Sequence, residues 1–217
     1  MNTIKKRFES IKSILERKDF LIKKNNVYID KRTKDYSSNF GLQWNEFSKT
    51  QLDSYTGFPL TRKRLFNSSE WGSHEIKDKL IVELGSGAGR FTEILLSSHS
   101  YVISVEMSNA IHVNALNNKS DKIIFLKSSL NNLSFLDEFF DYVLCYGVAQ
   151  HTPNVLETYK ACYCLAKKGG KISVDHYEKL NYPTLKSIWR PITKKINSFL
   201  LFRIIKFYIP IFFSIDT

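Results

Sequence analysis

The residues whose types and spacing most clearly indicate a chemical role lie in a glycine-rich turn near the middle of the chain. Residues 81–84 predict a short buried strand, glycines follow at positions 85, 87 and 89, and a helical pattern begins at Phe91. A strand, a turn and a helix in this order direct the free N–H groups of the helix N-terminus at a ligand. Glycines suit such a turn because they tolerate positive φ and let a ligand approach the backbone closely.

A single acid farther along the chain indicates what that ligand is. Glu106 ends a second predicted strand, residues 101–105, and lies 21 residues after Gly85. A carboxylate at this distance can accept hydrogen bonds from both hydroxyls of a ribose. We therefore expect a cofactor that contains a nucleoside.

The spacing of the glycines differs from the dinucleotide fingerprint Gly-x-Gly-x-x-Gly. That pattern would place glycine or alanine at position 90, whereas this chain has Arg90 and carries its third glycine one place earlier, at Gly89. An oxidoreductase is therefore disfavoured. Glu83 stands two residues before the first glycine, and the resulting Glu-x-Gly-x-Gly-x-Gly resembles motif I of the class I S-adenosylmethionine-dependent methyltransferases. The resemblance implies S-adenosylmethionine as the cofactor and methyl transfer as the activity.

The resemblance also implies which residues bind the cofactor. Glu106 would hold the ribose, the glycine turn would line the methionine side, and Glu83 would brace the turn. Ser129 occupies the place where many relatives carry an Asp that accepts from the adenine amino group, and the Leu130 N–H could reach the adenine edge. The complete predicted set is Glu83, Gly85, Ser86, Gly87, Gly89, Glu106, Met107, Ser129, Leu130, Tyr146 and Gly147.

A catalytic candidate follows the fourth predicted strand. Residues 147–153 resemble the family's Gly-Val-x-His-His-Thr-Pro, with Gln150 in place of the first histidine. His151 could take a proton from a hydroxyl or amine acceptor, as a positioned histidine does in general-base catalysis. A histidine that only orders the loop is an equally good interpretation, and a carbon acceptor would need no base. The three cysteines indicate neither a disulfide framework nor a metal site.

The wider pattern predicts the fold that positions these residues. Strands expected at 81–84, 101–105, 122–126, 140–145 and 171–175 alternate with helical segments, including 109–118 and 155–166. This rhythm predicts a doubly wound α/β sheet of the Rossmann-like type with five parallel strands. Ligand-binding residues should collect at the carboxyl ends of those strands, where the predicted set lies.

The N-terminal part divides into two predicted segments. Residues 1–39 form a helical extension, with an amphipathic helix in 1–24 and an irregular stretch after it. Residues 40–79 contain Phe-Gly-Leu-Gln-Trp at 40–44 and Thr-Gln-Leu-Asp-Ser at 50–54, which resemble the region before motif I in a bacterial methyltransferase subgroup. The resemblance implies a cofactor lid there. Arg62, Lys63 or Arg64 could meet the cofactor carboxylate, although a surface charge is the better interpretation for each.

Charge is distributed unevenly around the predicted methyltransferase core, residues 80–178. The chain carries a net +11, of which residues 1–79 supply +7, the core −2 and residues 179–217 +6. A nucleic-acid partner is disfavoured because a basic binding stripe normally includes the face around the site. We expect a small-molecule or glycan-type acceptor. The alternative from another class is a weak or inactive nucleotide-fold binding protein, with a membrane-peripheral location as one form of it.

The basic and apolar tail, residues 179–217, departs from the family pattern. No second α/β unit follows the fifth strand, so the chain looks shortened relative to the family. Residues 196–213 are strongly apolar, but Arg203, Lys206 and Pro210 make them a poor bilayer span. We expect the tail to cover a sheet edge or to self-associate. Contact with a membrane surface is the alternative. Residues 1–19 show no apolar signal core, which favours a cytoplasmic location.

Overall fold

The computed structural model describes residues 3–33, 47–176 and 185–213, which divide into two compact units between residues 177 and 178. Each unit is described by itself. The elements of the first unit are, in chain order, α1 (Thr3–Glu16), β1 (Leu21–Lys24), β2 (Val27–Asp30), α2 (Asp53–Thr56), α3 (Leu60–Ser69), β3 (Leu80–Leu84), α4 (Arg90–Ser97), β4 (Tyr101–Glu106), α5 (Ala110–Asn117), β5 (Ile123–Lys127), β6 (Phe140–Cys145), α6 (Val155–Leu165) and β7 (Ala166–Val174).

Within the described residues one seven-stranded sheet forms, in the order β1-β2-β5-β4-β3-β6-β7. All neighbouring strands are parallel except β1, which runs antiparallel to β2. The strand order reverses direction at β3, and this switch point is where open α/β sheets bind ligands. The predicted doubly wound α/β fold with its five parallel strands is confirmed.

Helices cover both faces of the sheet because alternate strand residues point to opposite sides. On one face Val82 packs in a buried cluster with Ile11 of α1 and Leu165 of α6. On the other face Ile81 belongs to a cluster that includes Leu95 of α4. The central strand β3 is buried along its whole length, so both faces need apolar residues.

The N-terminal extension corrects the sequence prediction. A helix was expected through residue 24 and an irregular segment after it, but α1 ends at Glu16 and residues 21–30 form the hairpin β1–β2. Its two-residue turn places Asn25 and Asn26 at φ +49° and +65°, a left-handed conformation that asparagine adopts more readily than most residues. β2 then pairs in parallel with β5 and buries Val27, so this extension belongs to the sheet.

The last strand also begins earlier than predicted. A helix was expected to Ala166 and a turn at 167–170, whereas β7 begins at Ala166, with an irregular register opposite Phe140 and Tyr142. Gly170 sits where a Cβ atom would lie 2.9 Å from the carbonyl oxygens of both Lys167 and Phe140. The irregular pairing therefore depends on a residue without a side chain.

A buried carboxylate ties the N-terminal helix to the sheet. Asp141, at the start of β6, accepts hydrogen bonds from the Leu80 N–H at 2.8 Å and from Arg7 Nη1 at 3.0 Å, and pairs with Lys167. Burial opposes ionisation of this carboxyl, but its hydrogen bonds with Lys167, Leu80 and Arg7 together lower its pKa. The charged form of Asp141 therefore stabilises the fold.

We expect Asp141→Ala to lower the free energy of unfolding by about 1–3 kcal/mol at pH 7, because the buried Leu80 N–H loses its acceptor. A carboxyl with a lowered folded pKa stabilises the protein above its unfolded pKa, and this contribution is lost as pH falls through the folded value. Urea unfolding at pH 7 and in acid measures both effects. The exposed Asp121→Ala is the matched control, and equal stability of the two variants at pH 7 would contradict the assignment.

The second unit contains α7 (Leu185–Thr193) and α8 (Ser198–Phe213), so the predicted apolar stretch is helical. No helix among the described residues is long and apolar enough to cross a bilayer. The expectations of edge covering, self-association or membrane contact by this tail stay predictions.

Candidate cofactor site

A cavity of about 540 Å³ opens at the carboxyl ends of β3, β4, β5 and β6. Small-molecule sites commonly have volumes of roughly 300–1,000 Å³. Its walls bring together nine of the eleven predicted cofactor residues and the catalytic candidate. These are Gly85, Ser86, Gly87, Glu106, Met107, Ser129, Leu130, Tyr146, Gly147 and His151. Glu83 and Gly89 do not line it.

The glycine turn is held close to two neighbouring strands. The N–H groups of Gly85 and Ser86 both donate to the Val105 carbonyl, at 2.8 and 3.1 Å. Gly85 has φ +71°, and a Cβ atom there would lie 2.1 Å from a methyl group of Val148 in the loop after β6. The turn therefore needs glycine for both its conformation and its packing.

Gly89 packs against α5 and does not face the cavity. It precedes α4 with φ +94°. A Cβ atom at this position would lie 2.1 Å from Asn114 Oδ1 in α5 and 2.3 Å from Nδ2 of Asn118, which directly follows α5. This glycine lets α5 approach the start of α4. Its place in the structure is a packing contact beneath the turn.

Glu106 joins the glycine turn to the end of β4. Its carboxylate accepts from the Gly87 N–H at 2.9 Å through Oε2 and from the Ser108 N–H at 2.8 Å through Oε1. A carboxylate offers about four acceptor sites. Two therefore remain on the cavity wall for a pair of ligand hydroxyls.

A buried polar network that the sequence analysis missed supports the turn from below. Asn114 Nδ2 lies 2.9 Å from both Thr92 Oγ1 and Ser104 Oγ and 3.1 Å from Ser86 Oγ. Thr92 in turn donates to the carboxylate of Glu83. The available signal was the spacing of Asn114, three residues after the buried Ile111 and so on the same helix face.

Glu83 is only 2% exposed, and burial is the main cause that raises its pKa to about 8. Its Oε1 atom has no hydrogen-bond partner among the residues that the structure describes. A carboxyl whose folded pKa is raised above the ordinary 4.5 binds its proton more tightly in the folded state. Its contribution to stability is therefore complete below the unfolded pKa and is lost as pH rises toward the folded value.

We expect Glu83→Gln to remove the loss of folding stability that Glu83 causes as pH rises. Wild-type stability should fall between pH 5 and 8.5 relative to that of the variant, by as much as about 1.4 kcal/mol per pH unit. Denaturant titrations of both proteins across this range measure the difference. Parallel pH profiles would show that Glu83 is ionised in the folded protein at neutral pH.

The segment before α2 closes one side of the cavity through Phe47, Ser48, Gln51 and Leu52. Polar contacts from the core hold it there. Asn117 Nδ2 donates to the Ser48 carbonyl at 2.8 Å, and Arg90 Nη1 donates to Gln51 Oε1 at 3.2 Å. Part of the predicted lid therefore lies against the cofactor turn, while residues 40–46 fall outside the described residues.

Two carboxylates fix the helices that follow this segment. Glu93 Oε2 accepts from the Asp53 N–H at 2.9 Å, at the start of α2. Asp53 accepts from the N–H groups of Thr61 and Arg62, both at 2.9 Å, at the start of α3. Asp53 of the 50–54 motif therefore joins the starts of α2 and α3.

The basic cluster on α3 does not line the cavity. Arg64 pairs with Asp175 at 2.6 Å, and the same carboxylate accepts from the Gly147 N–H. Arg62 Nη1 donates to Ser97 Oγ at 3.3 Å. The sequence analysis did not single out Asp175. It follows β7 at the carboxyl edge of the sheet, which is where ligand-binding residues were expected.

His151 lies in the short 3₁₀ turn Ala149–His151, where its N–H donates to the Val148 carbonyl at 2.8 Å. Its exposed side chain reaches the cavity beside Thr152. Tyr146 also lines the cavity, but its hydroxyl bonds Ser173 Oγ at 2.7 Å. Burial raises the pKa of Tyr146. The geometry therefore leaves His151 as the better proton acceptor of the two.

The far wall forms after β5. Ser129 Oγ accepts from the Asn131 N–H at 3.4 Å, and the Ser129 N–H donates to Thr33 Oγ1 at 3.0 Å. Leu130, Val105 and Met107 add apolar surface to the same cavity. Among the described residues no cluster of three or more His, Cys, Asp or Glu side chains could hold a metal ion.

The donor set fits a nucleoside cofactor with an aliphatic tail. Glu106 has further acceptor sites for ligand hydroxyls, Leu130 adds apolar surface to the wall, and the glycines allow close approach to the turn. The parallel strand order, the switch point and the cavity at the strand ends match the Rossmann-like fold of the class I S-adenosylmethionine-dependent methyltransferases.

Comparison with known proteins agrees with the fold described above. Residues 82–174 match the family model described as a methyltransferase domain. The core of this chain is thus similar to a methyltransferase domain over less than half of the chain's length, and S-adenosylmethionine is the cofactor that this similarity indicates.

The curated relatives are similar over the same core. A ubiquinone biosynthesis O-methyltransferase of Coxiella burnetii is 26% identical over 100 residues, which cover 45% of this chain and 43% of the relative. One of the same name from Nitrosospira multiformis is 29% identical over 96 residues, covering 42% and 40% respectively. The chain therefore spans less than half the length of these curated relatives.

Solved structures share the fold. A Methanococcus maripaludis protein described as an S-adenosyl-L-methionine-dependent methyltransferase aligns with TM-score 0.51 and 19% identity over 64% of each chain. A Haloferax volcanii complex joins the Trm112 methyltransferase activator to a protein described as a methyltransferase. It aligns with TM-score 0.52 and 18% identity over 66% of this chain and 63% of that one.

Proposed function

We propose that this protein transfers the methyl group of S-adenosylmethionine to a hydroxyl of a small-molecule acceptor. The observation that carries the proposal is the convergence of nine cofactor candidates and His151 on one cavity at the strand ends. The O-methyltransferase names of the curated relatives favour a hydroxyl acceptor. A glycan-type acceptor is the second kind of acceptor that we propose.

In this proposal the chain positions the reactants and removes a proton. When bound, the sulfonium cofactor supplies an activated methyl group. Glu106 binds the ribose, the backbone at Gly85 and Gly87 borders the methionine side, and Leu130 borders the base. His151 takes the proton of the acceptor hydroxyl. Alignment of reactants can supply much of the rate enhancement of such a displacement.

Apolar side chains form part of the cavity wall. Phe47, Leu52, Phe91 and Val148 contribute to its lining, and Phe47 remains exposed at the surface. Apolar walls exclude water and suit an acceptor with an aromatic or aliphatic body, with the polar group at His151 fixing its orientation. We therefore place hydroxylated aromatic compounds first among small-molecule acceptors.

The experiment is a methyl-transfer assay with the full chain and cofactor labelled in its methyl group. Phenols, catechols, quinols and sugars form the acceptor panel, and product masses report addition of one methyl group. Transfer to a hydroxylated aromatic compound supports the proposal. Tight binding of S-adenosylhomocysteine without transfer to any acceptor class would favour the alternative, a binding protein that has kept the nucleotide fold.

A further inference from the structure

The second unit concentrates basic and exposed apolar side chains. Its described side chains include five basic ones, Arg190, Lys194, Lys195, Arg203 and Lys206, and no acidic residue occurs between positions 185 and 213. We propose that this unit binds the surface of an anionic membrane and lies on it without crossing it.

Helix α7 combines basic and exposed apolar side chains. Trp189 is 58% exposed, and Ile192, three residues later and so on the same face, is also exposed. Arg190 is exposed between them, and the exposed Lys194 and Lys195 follow the helix end. Tryptophan beside lysine and arginine is typical of segments that lie in the membrane interface.

Helix α8 carries a larger exposed apolar face. Leu200, Ile204, Phe207 and Tyr208 are spaced four, seven and eight residues from the first and so share one side of the helix. All four are exposed, Phe207 by 68%, and the rings of Phe207 and Tyr208 contact each other at 5.3 Å between centroids. Contiguous apolar surface of this kind marks an interaction site in a soluble domain.

The dimensions of α8 favour lying on a membrane over spanning it. Its 16 residues extend about 24 Å at 1.5 Å per residue, less than the roughly 30 Å hydrocarbon core of a bilayer. Lys206 also lies within the helix. An orientation parallel to the surface lets the aromatic residues enter the interface while the lysines meet the headgroups.

Charge distinguishes the membrane from a second copy of the chain. A symmetric dimer through this surface would bring two sets of basic side chains together, with no acidic residue in the described part of the unit to neutralise them. Anionic headgroups are complementary to such a surface, and their attraction grows with each lysine or arginine near it. Sequence alone favoured edge covering or self-association over a membrane surface, whereas the charge and the exposed apolar side chains favour lipid in this proposal.

The test uses the full chain and sedimentation with vesicles of phosphatidylcholine alone or mixed with phosphatidylglycerol. We expect binding to the mixed vesicles only, weakened by salt. Lys194→Glu with Lys195→Glu should weaken it on the order of 30-fold or more, and Phe207→Ser with Tyr208→Ser should abolish it. Matched controls in the first unit are Lys6→Glu with Lys119→Glu and, for an exposed aromatic side chain, Tyr163→Ser.

Thermal melting of each variant shows that it remains folded, and this readout is independent of methyl transfer. Failure of the wild-type chain to sediment with anionic vesicles would overturn the proposal, as would equal binding of the lysine variant and its control. A dimer in light scattering that the Phe207 and Tyr208 variant abolishes, without vesicle binding, would assign the surface to a second copy.

Discussion

Replacement of His151 by alanine is expected to lower turnover about 10²–10⁴-fold with a hydroxyl or amine acceptor, while cofactor affinity barely changes. The side chain lies on the wall of the cavity, in the loop after β6, and is exposed to an incoming acceptor. Without it the acceptor proton has no positioned base. Steady-state kinetics combined with titration of S-adenosylhomocysteine measures both quantities.

His74→Ala is the matched control because His74 is exposed and does not line the cavity. Its turnover should equal that of the wild type. If His151→Ala loses cofactor affinity as much as turnover, the residue orders the loop and is not the base. Unchanged turnover with a hydroxyl acceptor would likewise remove it from the chemistry.

The second large effect is expected at Glu106, the acid that we propose binds the ribose. Glu106→Ala should weaken S-adenosylhomocysteine binding by about 1.5–3 kcal/mol, the scale for hydrogen bonds to a charged group. The carboxylate also accepts from the N–H groups of Gly87 and Ser108, so its loss removes a support of the glycine turn as well. Calorimetric titration measures the affinity, and the melting temperature reports the support.

Asp121→Ala removes an exposed carboxylate beyond the cavity and should leave the affinity unchanged. Glu106→Gln keeps one oxygen acceptor and should fall between the wild type and the alanine variant. An unchanged affinity in a folded Glu106→Ala protein would show that another group holds the ribose.

The strands and most of the cavity could be predicted because they depend on local patterns and one topological rule. β-branched runs at 81–84 and 101–105 identify buried strands, and parallel connection brings their carboxyl ends to one edge. Residues at those ends, such as Glu106 and Gly147, then meet without any knowledge of side-chain packing.

The hairpin β1–β2 was missed for a local reason. Leu21 continues the helical spacing of α1, so periodicity alone extends the helix too far. The turn signal at Asn25 and Asn26 is weaker than Asn-Gly, although asparagine tolerates the left-handed conformation found there. Burial of Val27 against β5, a contact distant in sequence, decides the structure.

The contacts behind the site could not be predicted because they join distant parts of the chain. Asn114 reaches Ser86 and Thr92, and Asp175 joins Gly147 to Arg64. Single residue types at these positions are compatible with an ordinary helix surface or strand end. Only the folded sheet shows that Asn114 supports the glycine turn and that Asp175 supports the loop after β6.

The most direct test of the central claim is calorimetric titration of the full chain with S-adenosylhomocysteine and, separately, with NADH. The site described predicts saturable binding of one S-adenosylhomocysteine per chain, strongly weakened in Glu106→Ala, and no comparable binding of NADH. Absence of S-adenosylhomocysteine binding by the folded protein, or equal binding of NADH, would contradict the assignment of this cavity to a methyltransferase cofactor.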